Sequence, residues 1–87
     1  APATSQVRND YGYALLLVGR YDDAAFELRT ALELANGQGP VRQNLAVAYL
    51  MSNNEQGIQE LQSQYGFSED EMAYAEKLSQ QFGRVAP

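Results

Sequence analysis

Apolar residues recur at helical spacing along most of the chain, most clearly in Tyr11 to Leu34, YGYALLLVGRYDDAAFELRTALEL. The first arm of this stretch, Tyr11 to Val18, is apolar nearly all round and therefore needs cover on more than one face. The second arm, Asp22 to Leu34, sets Ala24, Ala25, Leu28, Ala31 and Leu32 in one stripe with polar residues between them. Gly19-Arg20-Tyr21 separates the arms, and Gly19 supplies the left-handed residue that ends a helix. The pattern predicts a first helix over about Ser5 to Val18, capped by Thr4 or Ser5, folded back on a second. Asp22 and Asp23 fall in the first turn of that second helix, where carboxylates meet its positive end. With no base, nucleophile or metal partner beside them, they read as helix-start charges rather than paired acids.

The stretch Asn36-Gly37-Gln38-Gly39-Pro40 stops the second helix and opens a third. VRQNLAVAYLMSNN then begins the pattern again: Leu45, Ala46 and Tyr49 stand 34 residues after Tyr11, Gly12 and Leu15. Ser52-Asn53-Asn54 makes a polar turn. A fourth helix over about Glu55 to Gln64 offers Ile58, Leu61 and Tyr65, with Gly57 at the small-residue position if the turn is one residue shorter. Gly66 ends it, and Ser68-Glu69-Asp70-Glu71 forms a capping box in which hydroxyl and carboxylate satisfy free backbone amides. A fifth helix therefore starts at Glu69 and runs to about Phe82. It is expected to bury Met72, Ala75, Leu78 and Phe82, to expose Glu69, Asp70, Glu76, Lys77 and Gln80, and to close the helical stack with a solvated face. The acidic cluster Glu69, Asp70, Glu71 is accounted for by the capping box and the helix dipole, without a bound cation.

The succession Tyr11-Gly12, Leu15, Gly19-Arg20-Tyr21, Ala24, Leu28, Ala31, with its return after 34 residues, resembles the tetratricopeptide repeat. Arg8 stands where that pattern has Trp, Leu15 and Leu28 where it has aromatics, and Asn36 where it has Pro. The small residues are kept: Gly12 and Ala24 lie where the helices of such a hairpin approach most closely. The resemblance implies an all-α fold of antiparallel helix hairpins stacked as an α-solenoid. Within a single domain over 1–87, repeat 1 spans about 5–38, repeat 2 about 39–66 and a capping helix about 68–83. NDYGYALLLVGRYDDA, a second copy beginning VRQNLAVAYL with RQNLA at Arg42 to Ala46, and a short acidic-led final helix are similar to the TadD lipoproteins of tight-adherence (Flp) pilus assembly in bacteria. That similarity implies a periplasm-facing, outer-membrane-associated domain held by a lipid on an N-terminal Cys outside this segment.

Composition narrows the chemistry. The chain has 87 residues, one small domain's worth, and a net charge of −5 from 6 basic and 11 acidic residues with no basic run. Nucleic-acid binding is not expected, because phosphate contacts need clustered Lys and Arg. Neither Cys nor His occurs, which removes disulfides, thiolate nucleophiles, imidazole bases and the usual zinc ligands. No enzyme activity, cofactor or metal is therefore expected. No apolar run approaches the roughly 18 residues of a membrane span. Ala1-Pro2-Ala3-Thr4-Ser5 reads as a short linker, as though the chain were a segment of a longer protein.

A stack of such hairpins has an inner surface made mostly by the first helix of each. Gln6, Asn9, Asp10, Tyr13, Leu16 and Leu17 occupy that face of the first helix; Pro40, Gln43, Asn44, Val47, Leu50 and Met51 are their counterparts. The expected binding groove consists of Asn9, Tyr13, Leu16, Gln43, Asn44, Val47 and Leu50, amide-rich at one end and apolar at the other. It suits a peptide offering backbone groups to Asn and Gln and apolar side chains to Leu. Asn44 matches an Asn of the carboxylate clamps found in the repeat superfamily, but Asn9 and Tyr13 stand where such clamps have Lys and Asn, which argues against a carboxylate ligand. The expected function is a non-catalytic protein-interaction scaffold with a protein or peptide partner, a pilus or secretion component by resemblance. The alternative is a structural module that pairs its groove with a second copy of the chain as a homo-oligomer.

Overall fold

The computed structural model describes the backbone of residues 3–85 and the side chains of 4–83. Among the described residues there are five α-helices and no strand: α1 (Ala3–Leu17), α2 (Tyr21–Leu34), α3 (Val41–Met51), α4 (Glu55–Tyr65) and α5 (Glu69–Val85). The fold is all-α and repeat-like, with each hairpin packed on its neighbour.

Most helix ends follow from the residues at them. Gly19 and Gly66 take positive φ, 80° and 63°, where the chain leaves α1 and α4. Asn54 caps α4, its Oδ1 accepting from the Gly57 amide at 2.9 Å. Ser68 and Glu71 form the expected capping box: the Ser68 amide donates to Glu71 Oε1 at 3.0 Å and the Glu71 amide to Ser68 Oγ at 3.1 Å. The start of α1 corrects the sequence expectation. Ala3, Thr4 and Ser5 belong to the helix rather than to a linker, while Ala1 and Pro2 lie outside the described residues. Ser5 is buried and caps nothing; its Oγ donates to the Ala31 carbonyl at 3.1 Å and ties the start of α1 to the end of α2.

Small residues set the helix spacing. A Cβ on Gly12 would stand 2.5 Å from Leu28 Cγ, and one on Gly57 would stand 2.6 Å from the Tyr49 ring. Each antiparallel hairpin therefore closes on one glycine, Gly12 in α1 against α2 and Gly57 in α4 against α3. The core between them holds Leu16, Leu28, Leu32, Leu45 and Leu61, all fully buried. Full burial of one such side chain contributes about 1.5–3 kcal/mol.

Helix α3 is the centre of the molecule, in contact with every other helix. Val41, Leu45 and Ala48 lie on its side opposite Gln43, Val47 and Leu50, and are buried where α2 packs antiparallel to it. Helix α5 runs parallel to α3: Glu71 in its first turn meets Arg42, while Gly83 near its end lies close to the Met51 side chain. As expected, α5 buries Ala75 and Phe82, half-buries Met72 and Leu78, and exposes the charged residues of its other face. It covers the second hairpin through α3 alone and reaches α1, and it faces α4 across an open cleft.

Candidate functional site

The face shared by α1 and α3 brings the expected groove residues together, and α5 lies along it. Asn9 and Asn44 meet directly, Asn44 Nδ2 donating to Asn9 Oδ1 at 3.0 Å, so the two amides lock the parallel register of α1 and α3. Gln43 Nε2 donates to the backbone carbonyl of Glu71 at 3.2 Å, in the first turn of α5. Tyr13 receives Phe82 edge-on, with ring centroids 5.6 Å apart at 81°. Leu50 is half-buried in the wall of the cleft between α4 and α5.

Leu16 and Val47 do not belong to a groove. Both are fully buried, which corrects the expectation that they line an open surface. Two things cover them. Leu16 lies on the side of α1 that carries Asn9, which meets α3, and Val47 lies on the side of α3 that carries Gln43, over which α5 packs.

The first turn of α5 is held by residues outside the expected set. Arg42 donates from Nε to Glu71 Oε2 and from Nη2 to Glu71 Oε1, both at 3.0 Å, and from Nη1 to the Gly37 carbonyl at 2.9 Å. Its guanidinium also lies over the Phe67 ring, 5.7 Å from the centroid. Hydrogen bonding from Arg42 holds the Glu71 carboxyl below its ordinary range, and the same bond pushes Arg42 upward. RQNLA thus has three distinct uses in its first three residues: Arg42 clamps Glu71, Gln43 binds a backbone carbonyl and Asn44 fixes α1. Phe82, Leu78 and Glu71 were visible in the sequence as the amphipathic face and capping box of α5, but nothing in the spacing assigned that face to α1 and α3.

Two clefts flank α5. One, of about 230 Å³, is bounded by Tyr13, Leu17, Asn44, Leu78, Gln81 and Phe82, so its walls are aromatic and aliphatic with two side-chain amides at the rim. The other, of about 390 Å³, lies between the ends of α3, α4 and α5, with Leu50, Ile58 and Met72 among Asn53, Gln59 and Gln62. Tyr49 borders it, and burial pushes its phenol up, so the hydroxyl stays neutral across the physiological range. No group of three His, Cys, Asp or Glu placed to hold a metal ion occurs among the described residues. What the face offers is amide hydrogen bonding beside apolar hollows. No family model, curated protein or solved structure matches the chain.

Proposed function

We propose that the chain is a non-catalytic protein-interaction scaffold whose binding surface is the face of α1 and α3 at the clefts beside α5. The observation that supports this reading is how α5 is already seated there. An amide of α3 grips a backbone carbonyl of α5, and an aromatic ring of α1 receives an aromatic side chain of α5, as a bound peptide would be held. The cleft at Tyr13, Leu17, Asn44, Leu78, Gln81 and Phe82 has room for one apolar side chain of a partner, with Asn44 and Gln81 beside its backbone.

The resemblance to tetratricopeptide proteins of the TadD type supplies the setting of this proposal. The partner is a component of a pilus or secretion assembly, and the domain works in the periplasm or at the outer membrane. The test is a photoactivatable phenylalanine analogue placed singly at Tyr13, Leu50 or the exposed Asp22 in cells that carry such an assembly. Adducts with one pilus or secretion subunit from Tyr13 and Leu50, and none from Asp22, support the proposal. Equal yields from all three positions reject it, and adducts only with a second copy of the chain favour the self-associating module.

A further inference from the structure

Sulfur occurs at two places in this chain, Met51 and Met72, and Cys, His and Trp are absent. A hydroperoxide therefore meets these two thioethers as the side chains most readily oxidised. Both lie in the seat of α5. Met72, near the start of α5, is half-buried and shares the cleft of about 390 Å³ with Leu50 and Ile58. Met51, the last residue of α3, is half-buried at the other end of α5, its methyl group 3.8 Å from the place a Cβ on Gly83 would take. Among the described residues α5 touches α3 and α1 but not α4. Its buried apolar residues are Ala75 and Phe82, and Met72 and Leu78, with Met51 on α3, extend the apolar part of that seat.

Oxidation acts differently on the two. The sulfur lone pair attacks one oxygen of the peroxide, the S–O bond forms as the O–O bond breaks, and the other oxygen leaves with the first one's proton as water. Sulfur loses two electrons and the peroxide gains them. A flexible apolar side chain becomes a polar one with a strong acceptor. Met72 opens on the side-chain amides of Asn53, Gln59 and Gln62 and on solvent, so its sulfoxide finds donors in the cleft. Met51 lines neither cleft beside α5, and it faces Gly83, whose amide is spent inside the helix. An acceptor pressed there without a donor weakens the α3 to α5 contact. We propose that Met51 is an oxidation site whose sulfoxide loosens α5 from α3 and α1, and that Met72 oxidises without that effect. Loosening of α5 is independent of what the inner face binds, so this proposal and the scaffold proposal fail separately.

The test treats the whole chain, the volume-conserving variants Met51→Leu and Met72→Leu, and the double variant with hydrogen peroxide, with peptide mass mapping to locate the oxygen added at each sulfur. Met72→Leu, which keeps Met51, is expected to lose about 5 °C or more of melting temperature on oxidation, and its α5 amides to exchange about tenfold faster while those of α2 are unchanged. Methionine sulfoxide reductases should restore both. Met51→Leu and the double variant are expected to melt as they did before treatment. Met51→Gln, which carries an amide in place of the thioether and needs no oxidant, should lower melting more than Met72→Gln does. Four outcomes overturn the proposal: a Met51 that peroxide leaves unmodified in the folded chain, an equal or larger loss on oxidation of Met51→Leu, faster exchange spread evenly over all five helices, or equal effects of the two Gln variants.

Discussion

Arg42 and Glu71 lie 29 residues apart and meet through two hydrogen bonds of 3.0 Å, and the same Glu71 carboxylate closes the capping box that starts α5. One side chain therefore both begins the helix and fixes where it docks. Glu71→Ala removes the two roles together and is expected to cost about 1–2 kcal/mol in urea unfolding, most of it from the cap, because the ion pair is partly exposed and screened. Glu71→Gln can still cap and should cost less than half as much. Equal costs would place the stabilisation in the charge pair instead.

The same pair gives an acid limb to stability. The Glu71 pKa is lower in the folded chain than its ordinary value of 4.5, so folding favours the charged form. The contribution is complete above that ordinary value and is lost as pH falls through the lower folded value. Melting of the parent and of Glu71→Gln between pH 6 and pH 2.5 should show a difference that narrows below about pH 4.5, as the linkage requires. A difference constant with pH would contradict the assignment.

The glycines separate by what stands over them. Gly12→Ala and Gly57→Ala push a methyl group into the buried side chains of Leu28 and Tyr49 and should destabilise by about 1–3 kcal/mol. At Gly83 the nearest atom to an added Cβ is the Met51 methyl group at 3.8 Å, an ordinary contact. Gly83→Ala should instead stabilise by up to about 1 kcal/mol through helix propensity. Thermal melts of the three variants check the contrast, and a stabilising Gly12→Ala would mean that the α1 to α2 contact is looser than described.

The helices were legible because their signals are local. Ser68 and Glu71 marked the start of α5, Gly19 and Gly66 the stops, and the stripe from Ala24 to Leu32 the inner side of α2. The docking of α5 was not legible, because amphipathicity shows that a helix has an apolar face but not what that face meets. The misassignment of Leu16 and Val47 follows from this: their periodicity gave a side of the helix, and only packing decides whether that side is open. A hint was present in NLAVAYL, apolar almost all round, which a helix with one solvated face does not need. Ser5 reads as a cap in the sequence for a related reason, since a hydroxyl near a helix start suits a cap and equally a bond to the next helix.

Leu16 and Leu50 should therefore respond differently to truncation. Leu16→Ala leaves a cavity in closed packing and is expected to cost about 2–5 kcal/mol. Leu50→Ala, at the half-buried wall of a cleft that can relax, should cost clearly less. Chemical denaturation of both variants decides this, and equal losses would place Leu50 in the core and remove it from the candidate binding surface.

Removal of α5 tests the inner face as a whole. A chain ending at Gly66 loses Phe67, Ala75 and Phe82 from the core and uncovers Val47, Leu50 and the Tyr13 ring. Two buried phenylalanines alone contribute roughly 3–6 kcal/mol. At the usual sensitivity of a small domain this lowers melting by roughly 10 °C or more, or abolishes the cooperative transition. The uncovered apolar strip should also drive self-association, visible as concentration-dependent mass in sedimentation. A peptide of residues 67–85 added in trans should reverse both effects, because it carries the whole of the lost contact, including Glu71 for Arg42. The Arg42→Ala background should blunt the rescue. A shortened chain that stays monomeric with an unchanged melt would show that α5 only rests on a face already complete without it, and α1 and α3 would then form an open groove of the kind their periodicity suggests.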